Sequence, residues 1–203
     1  MRHVVTSNDI PASGELKIPA GAVVTPSARE TAAERGVTIV EAPADQVTAM
    51  PPPERTVALG ADHGGFRLKE TLKPVFAELG LAVRDIGIYE EAPADYPDLA
   101  QAVAELVASG AAARGVIVDG AGIGSAMAAG KVPGVRAALC YDKASARNSR
   151  EHNNANVLTL GGRLLTATQA EEVLRTFLET RFAGGRHAAR VGKIAAIEKK
   201  YSK

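Results

Sequence analysis

The chain has 203 residues, of which 46% are hydrophobic, and this is enough for one substantial core and a smaller appendage. A formal charge of +1, no tryptophan and no apolar stretch near the ~20 residues of a bilayer span argue against nucleic-acid and membrane partners. The single cysteine, Cys140, excludes an internal disulfide framework and suits a reducing cytoplasm.

Residues 1–40 are predicted to form a small N-terminal extension. Thr25 and Pro26 have the pattern of an N-cap followed by proline at the first helical position, which predicts a helix over Ser27–Arg35 and a strand over Val37–Val40. So little chain is not expected to build a self-sufficient core, so the unit should dock, oligomerise or stay mobile. The helical run resembles short segments of proteins found with bacterial microcompartments, which implies a shell or cargo contact and a location inside a microcompartment. An ordinary helical extension is the alternative.

A proline-rich linker is predicted at 41–54, because three consecutive prolines at positions 51–53 favour extended chain. In residues 55–203 strands and helices alternate. Strands are predicted at Val57–Leu59, Ala82–Ile86, Val116–Val118, Val135–Tyr141 and Val157–Leu160, and helices at Phe66–Leu79, Asp95–Ser109, Ser125–Ala129, Lys143–Asn148, Thr166–Thr180 and Ala188–Lys199. The alternation predicts an α/β fold, a three-layer α/β/α sandwich around a roughly five-stranded parallel, Rossmann-like sheet.

The third strand of this sheet leads into a loop in which Gly120, Gly122 and Gly124 alternate. Strand, glycine loop and helix start form an anion cradle, because glycine lets backbone approach a ligand and free N–H groups at a helix start attract negative charge. Asp119, the last residue of the strand, places a carboxylate at the mouth of the cradle. An acid beside an anion site is electrostatically unfavourable, so its presence calls for an explanation.

Three other interpretations of the loop are open. A Walker loop requires four residues between its glycine and Gly-Lys and then Ser or Thr, but five residues separate Gly124 from Gly130, and Val132 follows the lysine. The dinucleotide fingerprint of an oxidoreductase fits better, with Ser125 in place of the last glycine and Asp142 near the position of a ribose-binding acid. A tight turn that serves packing alone is the third.

Further polar residues are predicted near the ends of other strands. Asp62 and His63 follow the first strand, Arg163 follows the fifth, and His152 and Asn153 lie just upstream of the fifth. Ligands of parallel α/β sheets gather at the carboxyl ends of the strands, so these side chains are candidates for one site.

In order and spacing, these motifs resemble the type B ribose-5-phosphate isomerase family, which includes the galactose-6-phosphate isomerase subunits. The matching segments begin at Gly60, Asp95, Gly120, Ala128, Arg150 and Gly184, and the longest runs to Arg163. The resemblance implies an aldose–ketose isomerase that interconverts ribose 5-phosphate and ribulose 5-phosphate through an enediolate, with no metal and no cofactor. It also implies a homodimer or a higher homo-oligomer.

By this resemblance, Asp62 and His63 hold sugar hydroxyls near the ring oxygen. His152 helps to open the furanose ring, and Asn153 orients the open chain. Tyr96 lines the sugar pocket, although a purely structural role in helix packing is an equal alternative.

The resemblance also indicates which residues bind the two charged parts of the substrate, the enediolate oxygen and the phosphate. Backbone N–H groups of the glycine loop stabilise the enediolate oxygen, as in an oxyanion hole. The loop residues are Gly120, Gly122, Gly124 and Ser125. Arg186 and Arg190 bind the phosphate, often across a dimer interface, and their spacing places both on one helix face with two guanidinium forks toward a dianion. Arg163 is a further substrate-binding candidate.

Three departures from the family pattern concern the proton transfer. Many members carry a cysteine at the position of Asp119, and others carry a glutamate at the position of Ser125. A threonine often stands at the position of Ala121. Asp119 is therefore the predicted base, because a carboxylate is chemically suited to this reaction. The alternatives are a non-catalytic sugar-phosphate binding or assembly protein, and an isomerase of another aldose phosphate. His187, between the two arginines, is expected to be a surface residue.

Overall fold

The computed structural model describes residues 4–5, 10–11, 13–43 and 55–202. Most of the predicted linker, 44–54, therefore lies outside the described residues. The described part of the chain contains a small N-terminal unit and a larger α/β domain. Among the described residues, no helix is both long enough and apolar enough to cross a bilayer.

The described residues of the N-terminal unit form four short strands and one helix. In chain order they are β1 (Val4–Val5), β2 (Glu15–Pro19), β3 (Val23–Val24), α1 (Pro26–Glu34) and β4 (Thr38–Ala42). Strand β1 pairs with β3 and β2 with β4, both in parallel. The Thr25 hydroxyl accepts a hydrogen bond from the Ala28 N–H at 3.3 Å, which is the predicted N-cap, and the helix begins at the proline that follows it.

This unit encloses a hydrophobic cluster of its own. The buried residues are Val5, Ile10, Leu16, Ile18, Ala28, Ala32 and Val37. Parallel pairing of β2 with β4 requires a crossover connection, and α1 within that crossover supplies Ala28 and Ala32 to the cluster. The short segment thus packs more apolar surface than its length led us to expect.

The larger domain has five strands and six helices among the described residues. They are β5 (Thr56–Ala61), α2 (Phe66–Glu78), β6 (Ala82–Asp85), α3 (Tyr96–Ala108), β7 (Arg114–Asp119), α4 (Ile123–Ala129), β8 (Ala137–Leu139), α5 (Lys143–Glu151), β9 (Val157–Gly161), α6 (Ala167–Glu179) and α7 (Arg186–Tyr201). All neighbouring strands are parallel, in the order β6-β5-β7-β9-β8. The predicted five-stranded parallel sheet is confirmed.

Helices cover both faces of the sheet, as the central strand β7 illustrates. Val116 and Val118 pack into the cluster shared with α2, α5 and α6, whereas Ile117 packs into the cluster shared with α3 and α4. This alternation follows from the two-residue period of a strand that is buried on both faces. The predicted three-layer α/β/α sandwich is confirmed.

The largest differences from the predicted element lengths, four residues each, concern β8 and α7. Strand β8 has three residues and, as an edge strand, pairs only with β9. Helix α7 starts at Arg186 and reaches Tyr201, and His187 is its one buried residue. The helix therefore leaves apolar side chains of Ile194, Ile197 and Tyr201 exposed.

Candidate active site

Three loops meet at the edge of the sheet where the strands end, which we call the carboxyl edge. The Gly162 N–H donates to the Asp119 carbonyl at 2.7 Å, and the Arg163 N–H donates to the Gly120 carbonyl at 3.0 Å. A Cβ atom on Gly162 would lie 2.6 Å from the Gly64 carbonyl oxygen, so glycine is required for this close approach. The loops after β5, β7 and β9 are thereby held against one another.

Asp62 shapes the first of these loops. The residue is 7% exposed, and its Oδ1 accepts the N–H groups of Gly64 at 2.8 Å and Gly65 at 3.0 Å. A Cβ atom on Gly65 would lie 2.0 Å from the Val118 carbonyl oxygen. The bend that this contact requires leaves the neighbouring His63 exposed to solvent.

Asp119 lies inside the glycine cradle and is 4% exposed. Its Oδ1 accepts the N–H groups of Ala121, at 2.8 Å, and Gly122. Its Oδ2 accepts the Ser125 N–H, at 3.0 Å, and the Ser125 hydroxyl. A carboxylate offers about four acceptor positions, and all four are used here. The carboxylate at the mouth of an anion cradle thus has an explanation, because it is itself the anion that the cradle holds.

The hydrogen bonds of Asp119 change the role expected for the loop. The N–H groups predicted to face an enediolate oxygen donate instead to Asp119 in the absence of substrate. Ser125 is fully buried and donates to the carboxylate, so its side chain lies behind the loop. Gly122 has a φ of 80°, a left-handed conformation that favours glycine where α4 begins.

Two tyrosines border the same loop. A Cβ atom on Gly124 would lie 2.5 Å from the Tyr96 ring, so this half-exposed ring rests directly on the loop. The Tyr141 hydroxyl donates to the Ala121 carbonyl at 2.8 Å. Tyr141 was not predicted as a site residue, because its contact crosses from the end of β8 to the loop after β7, 20 residues away.

The other predicted site residues lie at the opposite edge of the sheet, which we call the amino edge. Helix α5 starts just beyond the end of β8 and runs back along the sheet, and at ~1.5 Å per residue it covers about 14 Å. His152 is its C-cap, and Asn153 follows directly. The chain then enters β9 through Asn156, whose carbonyl accepts the N–H of Gly115 near the start of β7.

His152 stacks on His187 at this edge. The two rings are 4.2 Å apart between centroids and inclined by 4°. The amide Nδ2 of Asn148 lies 2.9 Å from His152 Nδ1 and donates to it. His187 is 8% exposed, so the expectation of a surface residue was wrong. Burial, followed by the charges of His152, Arg186 and Arg190, lowers the pKa of His187.

The phosphate candidates accompany this histidine pair. Arg186 and Arg190 lie in the first two turns of α7 and are exposed. The other end of α7 stays at the amino edge, because Glu198 accepts the N–H of Gly134, ahead of β8, at 3.0 Å. Asn153 contributes to a cavity of about 390 Å³ that Ile194 of α7 also lines.

Within one chain, the predicted site residues therefore form two groups. The carboxyl-edge group contains Asp62, His63, Tyr96, Asp119, the glycine loop and Arg163, and the amino-edge group contains His152, Asn153, Arg186 and Arg190. No group of three or more His, Cys, Asp or Glu side chains among the described residues is arranged to hold a metal ion. Cys140 is buried near the end of β8, and burial raises the pKa of its thiol.

Asp142, the ribose-binding acid of the dinucleotide interpretation, has a structural role. It is the N-cap of α5, and its side chain accepts the Ser145 N–H at 2.7 Å in a reciprocal capping box. Asn or Asp at such a position satisfies an otherwise unpaired helix N–H. The residue is therefore engaged with its own helix.

Comparison with known proteins identifies the fold and its chemistry. The family profile for ribose/galactose isomerases matches residues 57–194. The chain is 38% identical over 146 residues to ribose-5-phosphate isomerase B of Escherichia coli, which covers 72% of this chain and 98% of that protein. It is 37% identical over 145 residues to D-erythrulose-4-phosphate isomerase of Pectobacterium atrosepticum, covering 70% and 95%.

Solved structures agree with these relatives. Ribose-5-phosphate isomerase B of Clostridium thermocellum superimposes with a TM-score of 0.71 and 47% identity, over 72% of this chain and 99% of that one. The matched region contains both groups of candidate site residues and leaves out the N-terminal unit. The chain belongs to the ribose/galactose isomerase family of sugar-phosphate isomerases.

Proposed function

We propose that the chain interconverts ribose 5-phosphate and ribulose 5-phosphate, with Asp119 as the proton acceptor. The observation that carries the proposal is the meeting of three loops at the carboxyl edge around a buried carboxylate. Asp119 lies at the end of the central strand, where a substrate bound at that edge places its reacting carbons. A carboxylate of this kind is a chemically sufficient base for an aldose–ketose isomerisation.

The proposed reaction moves one proton between neighbouring carbons. Asp119 takes the proton from C2 of the open-chain aldose, and the electron pair of the C–H bond forms the carbon–carbon double bond of an enediolate. The electrons of the C1 carbonyl double bond move to O1, and the hydroxyl proton of O2 is transferred to O1. Return of the carboxyl proton to C1 then gives the ketose, with its carbonyl at C2. The N–H groups of Ala121 and Gly122 donate to the carboxylate and hold it in position for the transfer.

A complete site requires a second copy of the chain in this proposal. The carboxyl-edge group supplies the base and the glycine loop, whereas His152 and the arginines for ring opening and phosphate binding lie at the amino edge. Pairing the carboxyl edge of one protomer with the amino edge of its partner brings them together. The exposed Ile194, Ile197 and Tyr201 of α7 support such pairing, since they form a row at i, i+3 and i+7 on one helix face.

A four-carbon sugar phosphate is the second candidate substrate. The Pectobacterium relative is named for D-erythrulose 4-phosphate, and its identity to this chain is within one percentage point of that of the Escherichia coli enzyme, 37% against 38%. Both substrates present a terminal phosphate and the same reacting carbons. The four-carbon aldose phosphate is one carbon shorter and has no free hydroxyl at C4 to close a furanose ring, so it needs no ring opening.

The test measures turnover of four-, five- and six-carbon aldose phosphates in D2O. NMR spectra monitor the reaction through the loss of the substrate C2 proton. We expect ribose 5-phosphate to give the highest kcat/KM. A higher kcat/KM with the four-carbon substrate would select the second candidate. Absence of exchange with every member of the panel would contradict the proposed reaction.

A further inference from the structure

The hydroxyl of Ser125 differs from the other three donors to Asp119. The N–H groups of Ala121, Gly122 and Ser125 can only donate, and their positions are set by the backbone. A hydroxyl group rotates, and it can accept as well as donate. The contact between Ser125 Oγ and Asp119 Oδ2 is therefore the one hydrogen bond of the carboxylate that can reverse its direction without a movement of heavy atoms.

Reversal matters because every acceptor position of the carboxylate is occupied before the reaction. A proton that arrives on Oδ2 has to replace one of the four hydrogen bonds, and the new O–H then requires an acceptor in a buried environment. An unsatisfied polar group there costs roughly 1–3 kcal/mol. Ser125 Oγ already lies within hydrogen-bonding distance of Oδ2 and is fully buried, so water does not replace it in this role.

A serine hydroxyl that reverses its bond to Asp119 also needs an acceptor for its own proton. The candidate acceptor is the carbonyl of Ala121, on the loop just ahead of α4. This carbonyl accepts the Tyr141 hydroxyl at 2.8 Å and retains a second lone pair. The carboxyl group therefore takes part in four hydrogen bonds before and after the rearrangement. Afterwards it still accepts three N–H groups and donates its own proton to Ser125.

We propose that Ser125 is a positioning residue for proton transfer, one that donates to Asp119 while the carboxylate is ionised and accepts from it while it carries the substrate proton. In the forward step the C2–H bond breaks, its electron pair stays with the enediolate, and an O–H bond forms at Asp119 Oδ2. The second step reverses this at C1, and the hydroxyl of Ser125 turns back. The proposal rests on the proposed function, in which Asp119 is the base.

Ser125→Ala tests the proposal directly. Loss of a hydrogen bond to a charged group should lower kcat about 10- to 100-fold, while KM changes less than about twofold, because the hydroxyl does not touch the substrate. The thiol of Ser125→Cys is a weak donor and acceptor, so the kcat of this variant should lie between those of the wild type and Ser125→Ala. It also covers the case in which the alanine variant folds poorly. Ser109→Ala is the control, since it removes the hydroxyl of an exposed serine that donates to the Leu106 carbonyl at 3.2 Å, far from the loop that holds Asp119.

A double variant separates positioning from a general effect on the loop. In Asp119→Asn the amide cannot take a proton, so addition of Ser125→Ala should lower the residual turnover by less than about twofold. An equal loss in both backgrounds, or unchanged kcat in Ser125→Ala while the wild type is active, would overturn the role of Ser125. Failure of the wild type itself to exchange the C2 proton would instead overturn the proposed function, and with it this inference.

Discussion

The carboxyl edge and the amino edge of the sheet are built on opposite plans. At the carboxyl edge, two carboxylates are buried and held by backbone N–H groups of tight glycine loops, as Asp62 and Asp119 show. At the amino edge, the candidate phosphate-binding groups are exposed cations on the first turns of α7, next to a stacked histidine pair. Rigid geometry is concentrated at one edge and positive charge at the other.

The difference indicates a division of work. A proton transfer requires a base held within a few tenths of an ångström of the reacting carbon, which close-packed loops supply. A phosphate dianion is held by charge and bidentate hydrogen bonds, which exposed arginines on a helix supply without burial. One chain keeps the two parts at opposite edges. Substitutions at the carboxyl edge should therefore lower kcat, and substitutions at the amino edge should weaken substrate binding.

Substitution at the carboxyl edge should have the largest effect. Asp119→Asn keeps the shape of the side chain and removes the base, so kcat should fall about 10²- to 10⁴-fold, while sugar-phosphate binding measured by calorimetry persists. Asp119→Cys, which restores the residue common in the family, should recover part of the turnover. Asp142→Asn is the matched control, because asparagine also serves as an N-cap. Normal turnover in Asp119→Asn would place the base elsewhere.

Substitution at the amino edge should affect binding more than chemistry. Arg186→Ala or Arg190→Ala removes charge-assisted hydrogen bonds of about 1.5–3 kcal/mol, so the KM for ribose 5-phosphate should rise about 10- to 100-fold. Lys193→Ala is the control, because it removes another exposed cation from the same helix. Steady-state kinetics should show a raised KM in the arginine variants and an unchanged KM in this control. Unchanged KM values in both arginine variants would move the phosphate site away from α7.

The buried histidine at the amino edge predicts a smaller, pH-dependent effect. A lowered pKa means that folded His187 binds fewer protons than the unfolded chain once the pH falls below about 6.5, the ordinary value for histidine. The free energy of unfolding should therefore decrease from pH 7.5 to 5.5, and His187→Gln should weaken that decrease. Urea denaturation at several pH values measures it. Identical pH slopes for wild type and variant would rule out this contribution.

Removal of the N-terminal unit should have the smallest effect on turnover. Its hydrophobic cluster is separate from the two clusters that flank the five-stranded sheet, and both edges lie beyond residue 54. A chain that begins at Glu54 should keep kcat/KM within about twofold. If residues 1–40 address the enzyme to a microcompartment, co-sedimentation with shells should be lost. An insoluble or inactive product would show instead that the unit completes the catalytic domain.

The sequence was sufficient for the sheet and for the positions of its loops. The β-branched run Val116–Val118 between glycines predicted the central strand, because such a strand is buried on both faces. The partners of Asp119 were not predictable, since they depend on where the loop N–H groups point after the chain turns at Gly122. His187 was misjudged for a similar reason. Its burial comes from a ring that lies 35 residues earlier in the chain, and no local pattern records that contact.

Subunit complementation tests the central claim most directly, namely that each site combines the carboxyl edge of one protomer with the amino edge of its partner. An Asp119→Asn chain and an Arg186→Ala/Arg190→Ala chain, each with a different affinity tag, would be co-expressed, and the doubly tagged dimer purified. Such a dimer contains one site with both defects and one with none, so we predict about half of the wild-type turnover per dimer. Turnover no higher than the mean of the two parent homodimers would contradict the shared site.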